Sequence, residues 1–269
     1  VKVALLGRLV TEPARAVRKA VVVLVASLAK VLLPAGEWPE LMDGMLACCT
    51  SEHEELRELG MVLLSEVVTR LKRHVTAALP VLQPSVAAGV ADASVRVRLS
   101  ALRALGRLLL FADITPGSSL LPAAQEMLGQ LLTTAGALVA TPRLEPGAEP
   151  ALLEVLDTVG ELAETGSPAL KPHFEATGRF IIHLLHHEGL EASTRDVAAE
   201  ALIILMSEKP RSFVMKGLVD AVRRGVHGAG RFVSPHRTAA PPSPLAHARA
   251  LAAGSRRHDA AAAVQPGGG

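Results

Sequence analysis

The sequence predicts an all-α fold, a solenoid of about five stacked helix pairs followed by a disordered C-terminal tail. Three observations predict it. The 269 residues are 49% hydrophobic but only 2% aromatic, with no Tyr and one Trp. A core of Leu, Val and Ala suits helix packing better than a sandwich of aromatic and β-branched strands. Apolar residues recur at helical spacing in one segment after another, each bounded by Pro, Gly or Ser turns. An Arg also returns near the start of alternate helices, at Arg18, Arg57, Arg98 and Arg195, with steps of 39, 41 and 97 residues. The last step is two periods, and the skipped helix, around Ala151, has no Arg there.

The elements follow in order. Residues 1–10 read as a helix already under way, as in a piece of a longer chain, and Thr11-Glu12-Pro13 as a turn with Pro suited to the first helical position. Residues 14–33 form a long helix with Val17, Val21, Leu24, Val25, Leu28 and Leu32 on one side; its apolar run is about 14 residues, short of the roughly 20 that span a bilayer. Trp38-Pro39-Glu40 opens a helix carrying Leu41, Met42, Met45 and Leu46. Thr50-Ser51-Glu52 is a capping turn, and 54–71 the next helix, with Glu54 and Glu55 where the helix dipole favours acid. Residues 75–90 form a helix bent or interrupted near Pro80 and Pro84. Residues 94–111 follow, with Leu99, Leu102, Leu105, Leu108 and Leu109 at core spacing. Residues 120–139 and 151–164 make the next pair, across a loop through 141–150. Residues 170–187 and 193–207 make another, and 213–224 starts one more.

The solenoid segment is 1–224, and 225–269 is a low-complexity tail. The tail is Gly, Pro, Ala, Arg and His without apolar periodicity, so burial cannot offset the entropy of ordering it. It carries five Arg and one Asp. Residues 1–224 hold the other 23 basic and 25 acidic residues, so the folded part is no polycation and no direct nucleic-acid contact is expected. Cys48 and Cys49 are adjacent, which suits neither a metal site nor a disulfide framework and fits a reducing compartment.

A period near 40 with two helices per unit is the signature of HEAT repeats, in which each pair has more apolar surface than it can bury alone. Glu12 stands six residues before Arg18, and Asp92 six before Arg98. Between adjacent repeats, such carboxylates and the Arg series (Glu12, Arg18, Arg57, Asp92, Arg98, Arg195) are expected to form a ladder of charge-assisted hydrogen bonds that fixes the stacking angle. At Arg57 the matching place holds Ser51, and at Arg195 it holds Gly189, so the ladder is imperfect.

Three stretches carry a family resemblance: VKVALLGRLVTEPARAVRKAVVVLVASLAK, EWPELMDGMLACCTSEHEELRELGMVLLSEVV and LLEVLDTVGELAETGSPALKPHFEATGRFIIHLL. Together, over about residues 1–224, they resemble the importin-β (karyopherin) family of nuclear transport receptors, of the importin-5 and importin-4 type. The resemblance implies a carrier that binds protein cargo on a concave surface of second helices and is regulated by the Ran GTPase. It implies grooves between first helices that take Phe-Gly segments of nuclear pore proteins, and a protein of cytoplasm and nucleus. The chain contains no Asn, so it lacks the Trp-Asn ladder of armadillo adaptors. The alternative is a HEAT scaffold of a phosphatase, chromatin or translation complex.

Candidate sites are few. Glu154, Asp157, Glu161 and Glu164 run along one helix face at steps of three and four, a stripe that would attract a basic cargo such as ribosomal proteins or histones, or an ordinary solvated face. Glu52, Glu54, Glu55 and Glu58 offer a second acidic cluster. His183 and His187 are spaced to share a helix face and a zinc ion, with His186 between them, but exposed histidines near a helix end are the plainer reading. No nucleophile elbow, phosphate loop or paired-carboxylate context is present, so the chain reads as a non-enzyme without cofactor or metal.

Overall fold

The computed structural model describes residues 1–140 and 143–208, together with 210, 214, 217–220 and 222. The tail reading for 225–269, and half of the residues of the helix expected at 213–224, lie outside the described residues. Those described form ten α-helices and two short 3-10 segments, with no strand among them. The helices are α1 (Lys2–Thr11), α2 (Arg15–Leu32), α3 (Pro39–Cys49), α4 (Glu54–Leu71), α5 (Val75–Val90), α6 (Val95–Phe111), α7 (Leu121–Leu138), α8 (Ala148–Glu164), α9 (Phe174–Leu185) and α10 (Ala192–Glu208).

They pack in two layers, the arrangement of an all-α solenoid. The second helix of each pair lies against the second helix of the next, in the order α2, α4, α6, α8, α10. The first helices α3, α5 and α7 form the other layer, continued by the 3-10 segment Pro168–His173 and α9. Leu64, Leu102, Leu105, Leu152 and Leu205 lie fully buried between the layers, and Trp38, at the start of α3, is the largest side chain closed off from solvent. Burying a Leu of this kind contributes about 1.5–3 kcal/mol.

Several elements depart from the sequence expectation. Val17 and Leu24, in the apolar stripe expected along α2, are about half exposed. The helix is apolar nearly all round, and the next pair covers only one side of it, at Val22, Val25, Ala26 and Ala29. α5 runs without interruption through Pro80 and Pro84. Both prolines are exposed, so the carbonyls that lose an amide partner can bond water instead. α8 begins at Ala148, inside the expected loop, because Pro150 sits in a first turn whose amides need no helical partner. α9 begins only at Phe174, since Pro168 and Pro172 hold the preceding residues in a 3-10 segment, and it ends at Leu185. The turn at Thr50–Glu52 gives no side-chain cap to α4; the Ser51 hydroxyl instead accepts from the His53 amide at 3.2 Å.

Two glycines set how closely the helices approach. A Cβ at Gly60 would lie 2.7 Å from the Cys49 amide nitrogen, and at Gly106 it would lie 2.7 Å from the Thr158 hydroxyl oxygen. Gly44, in α3, faces open space. Gly60→Ala is expected to destabilise the fold by about 1–3 kcal/mol despite better helix propensity, because α3 backbone must shift. Gly44→Ala is expected to stabilise it by up to about 1 kcal/mol. Urea unfolding of the two variants checks the opposite signs.

Candidate functional site

The repeated Arg is the fourth residue of its helix in α2, α4, α6 and α10. A cation so close to a helix N-terminus opposes the helix dipole. Its guanidinium is satisfied by the carbonyls of the turn it grows from. Arg18 donates through Nε (2.9 Å) and Nη2 (2.6 Å) to the Glu12 carbonyl. Arg57 donates to the carbonyls of Ser51 (3.1 Å) and Glu52 (2.9 Å), and Arg98 to those of Asp92 (2.7 Å) and Ala93 (2.8 Å). Arg195 does the same to Leu190. The matching place in α8 is Ala151, which is buried.

The carboxylates do not meet the Arg six residues later in their own repeat. Asp92 reaches back to Arg57 of the preceding helix pair, in a bidentate contact of 2.6 Å from Nε and 3.1 Å from Nη2. Its Oδ1 also accepts from the Ser94 amide at 2.8 Å. The bidentate bond holds the Asp92 carboxyl below the usual carboxylate range and raises Arg57. Glu12 makes the same local bond to the Ala14 amide at 2.9 Å, but its other oxygen takes Arg8 of α1. Arg18 reaches only Glu55 across the α2–α4 junction, at 3.9 Å.

The two acidic clusters differ in how far the fold consumes them. Between α4 and α6, Arg96 pairs with both Glu54 and Glu58, and Glu54 also accepts the Ser94 hydroxyl at 2.8 Å. Those charges hold two helices together. On α8, Glu154 pairs with Arg103 of α6 at 3.0 Å. Asp157 lies partly buried; burial pushes its carboxyl up, Arg107 opposes this, and Glu154, Glu161 and Glu200 of α10 reinforce it. Burial likewise pushes up Glu161, again opposed by Arg107. Glu164 is exposed at the helix end. The stripe is thus one side of a wider patch across three helices, with five carboxylates against Arg103 and Arg107. The single-helix reading missed Arg103, Arg107 and Glu200, which come into view only when successive second helices are set side by side.

A family model described as "IPO5-like, TPR repeats" matches residues 13–180, more than half of the chain. The chain belongs to the importin-5-like family. The sequence is also 24% identical over 186 residues to a "Probable importin-5 homolog" of Dictyostelium discoideum. That match covers 68% of this chain and 16% of the relative, so the chain spans about a sixth of the relative's length.

Two histidines of this importin-5-like chain bond main-chain carbonyls. α9 ends before His186 and His187, so the three histidines do not share one helix as the spacing suggested. His183 Nε2 lies 3.3 Å from the Val139 carbonyl and His186 Nδ1 2.7 Å from that of Ile182. No group of three His, Cys, Asp or Glu among the described residues could hold a metal ion. No helix among them is long and apolar enough to cross a membrane. Burial pushes the Cys49 thiol up to about 12 and raises Cys48, leaving both un-ionised at neutral pH.

Asp92 and Asp157 have opposite linkage to pH. Asp92 titrates lower folded than unfolded, so its stabilisation is present above the ordinary carboxylate pKa and lost as pH falls through the folded value. Asp157 titrates higher when folded, so its contribution is present at low pH and lost as pH rises through the raised value. Asp92→Asn is therefore expected to lower Tm at neutral pH, and Asp157→Asn to raise it. Both differences should shrink in strong acid, as followed by circular dichroism melts across the carboxylate range.

Proposed function

We propose that this chain is a segment of a nuclear import receptor and that its layer of second helices binds a basic protein cargo. Membership of the importin-5-like family supports the receptor class. The observation that carries the cargo chemistry is the patch of Glu154, Asp157, Glu161, Glu164 and Glu200, whose charge Arg103 and Arg107 only partly neutralise. A Lys- or Arg-rich segment laid across α8 and α10 would relieve the mutual repulsion at Asp157, so binding energy and folding strain act in the same direction. Ribosomal proteins and histones have the composition such a patch attracts. In the whole receptor, Ran GTPase would compete for the second-helix layer and release the cargo, and Phe-Gly segments of pore proteins would lie between first helices. On this reading the protein works in cytoplasm and nucleus and acts by binding rather than by catalysis.

The test is titration of a fluorescent Lys/Arg-rich peptide at several salt concentrations. The chain is expected to bind it with an affinity that falls as salt rises. The double substitution Asp157→Lys, Glu161→Lys should weaken binding roughly tenfold or more, a change of about 1.4 kcal/mol. Unchanged affinity and salt slope in that variant would remove the patch from the binding site.

A further inference from the structure

Three turns that lead into second helices are built alike. In each, the side chain six residues before the repeated Arg accepts from the amide two residues on. Glu12 Oε1 accepts from Ala14 (2.9 Å), Ser51 Oγ from His53 (3.2 Å) and Asp92 Oδ1 from Ser94 (2.8 Å). In each, the carbonyl of that same residue accepts from the Arg that follows. The three side chains therefore occupy equivalent places, but the middle one carries no charge. Asp92 uses its charge to hold Arg57 of the preceding second helix. A charge at position 51 would by the same geometry face Arg18, which stands to the turn before α4 as Arg57 stands to the turn before α6. Arg18 lacks such a partner: it meets no carboxylate closer than Glu55, at 3.9 Å, whose side chain is 70% exposed.

The residues around Ser51 suit the arrival of that charge. Ser51 is partly exposed, and Glu52, Glu54 and Glu55 after it are fully exposed. The turn is non-helical up to His53, and α4 starts at Glu54, in a first turn whose amides have no helical partner to hold them. The Ser51 hydroxyl accepts a bond but donates to no protein atom among the described residues. A serine in such a turn, with acid one, three and four residues downstream, complements a kinase whose substrate groove is basic. We infer that Ser51 is a phosphorylation site for an acid-directed serine kinase, and that Arg18 receives the phosphate. The kinase moves the γ-phosphoryl group of a nucleoside triphosphate to Ser51 Oγ. The new O–P bond replaces the bond to the diphosphate, and the hydroxyl proton leaves to a base of the kinase. The product carries close to two negative charges and three strong acceptor oxygens. It sits where the dipole of α4 favours an anion. Arg57 is already taken by Asp92, which leaves Arg18 as the receiver. Glu52 and Glu55 oppose the phosphate weakly because water screens them, and Glu54 is held by Ser94 and Arg96. Phosphorylation thus completes a rung that the chain otherwise leaves open between α2 and α4. In a solenoid the rotation between successive units sets the curvature, so the modification regulates shape. It lies away from the acidic patch of α8 and does not depend on the cargo reading.

Mass spectrometry of the chain treated with magnesium ATP and an acid-directed serine kinase reads the site. One phosphate is expected at Ser51, none there in Ser51→Ala, and slower uptake in Glu54→Gln. Thermal melts read the receiver. Phosphorylation is expected to raise Tm by roughly 2–4 °C, and Ser51→Asp, which needs no kinase, to raise it by less. In an Arg18→Gln background both gains should vanish. Should that background not fold, a phosphorus NMR titration of the phosphorylated parent reads the same contact. Its phosphate should take its second charge below the ordinary value of about 6. No phosphate at Ser51, uptake unchanged in Glu54→Gln, a Tm that stays or falls, a gain that survives Arg18→Gln, or an unshifted phosphate would overturn the inference.

Discussion

Each second helix carries more apolar surface than one neighbour can bury, and the rest of the structure follows from that constraint. α6 shows it best. Val97, Leu99, Ala101, Leu102, Ala104, Leu105, Leu108 and Leu109 are all buried, because α4 and α8 flank the helix and α5 and α7 lie behind it. No single helix pair could close such a surface, so the fold grows by addition of pairs. The close approach of α6 to α8 at Gly106, with Thr158 opposite, is the same demand expressed in one side chain of zero size.

Apolar burial has no direction of its own, and the polar seams supply the register. The four Arg at the fourth helical position tie each second helix to its own turn, and Arg57–Asp92 ties one turn to the next. Arg96 with Glu54 and Glu58, and Arg103 with Glu154, add further ties across the α4–α6 and α6–α8 junctions. The α8 junction differs from the rest. It has Ala151 where the others have Arg, and Glu149 reaches forward to the Glu191 amide at 2.8 Å and the Thr194 hydroxyl at 2.6 Å. That junction also holds the surplus of carboxylates. The departure from the repeat and the candidate binding patch fall on the same helix, which is where a scaffold built by repetition can afford to differ.

Much of this was legible in the sequence. Helical periodicity and Pro, Gly and Ser punctuation placed the helices, and the boundaries of α4 match the expected 54–71. The period of the Arg series also identified which helices are equivalent. What periodicity could not supply was direction. Val17 and Leu24 fit an apolar stripe, but α2 has apolar residues on two sides, and spacing alone does not say which is covered. Asp92 and Arg98 are close in sequence, yet the main-chain carbonyl faces Arg98 while the carboxylate turns to Arg57, 35 residues away. Arg103, Arg107 and Glu200 were hidden for the same reason: their relation to Asp157 is one of neighbouring helices, not of neighbouring residues.

Native-state hydrogen exchange tests the central dependence on two-sided burial most directly. If each second helix needs both neighbours, amides in the middle of α4, α6 and α8 should exchange most slowly. Those of α2 and α10, each flanked by one second helix among the described residues, should exchange faster. Equal protection along all five helices, or slower exchange in α2 or α10 than in α6, would contradict the account.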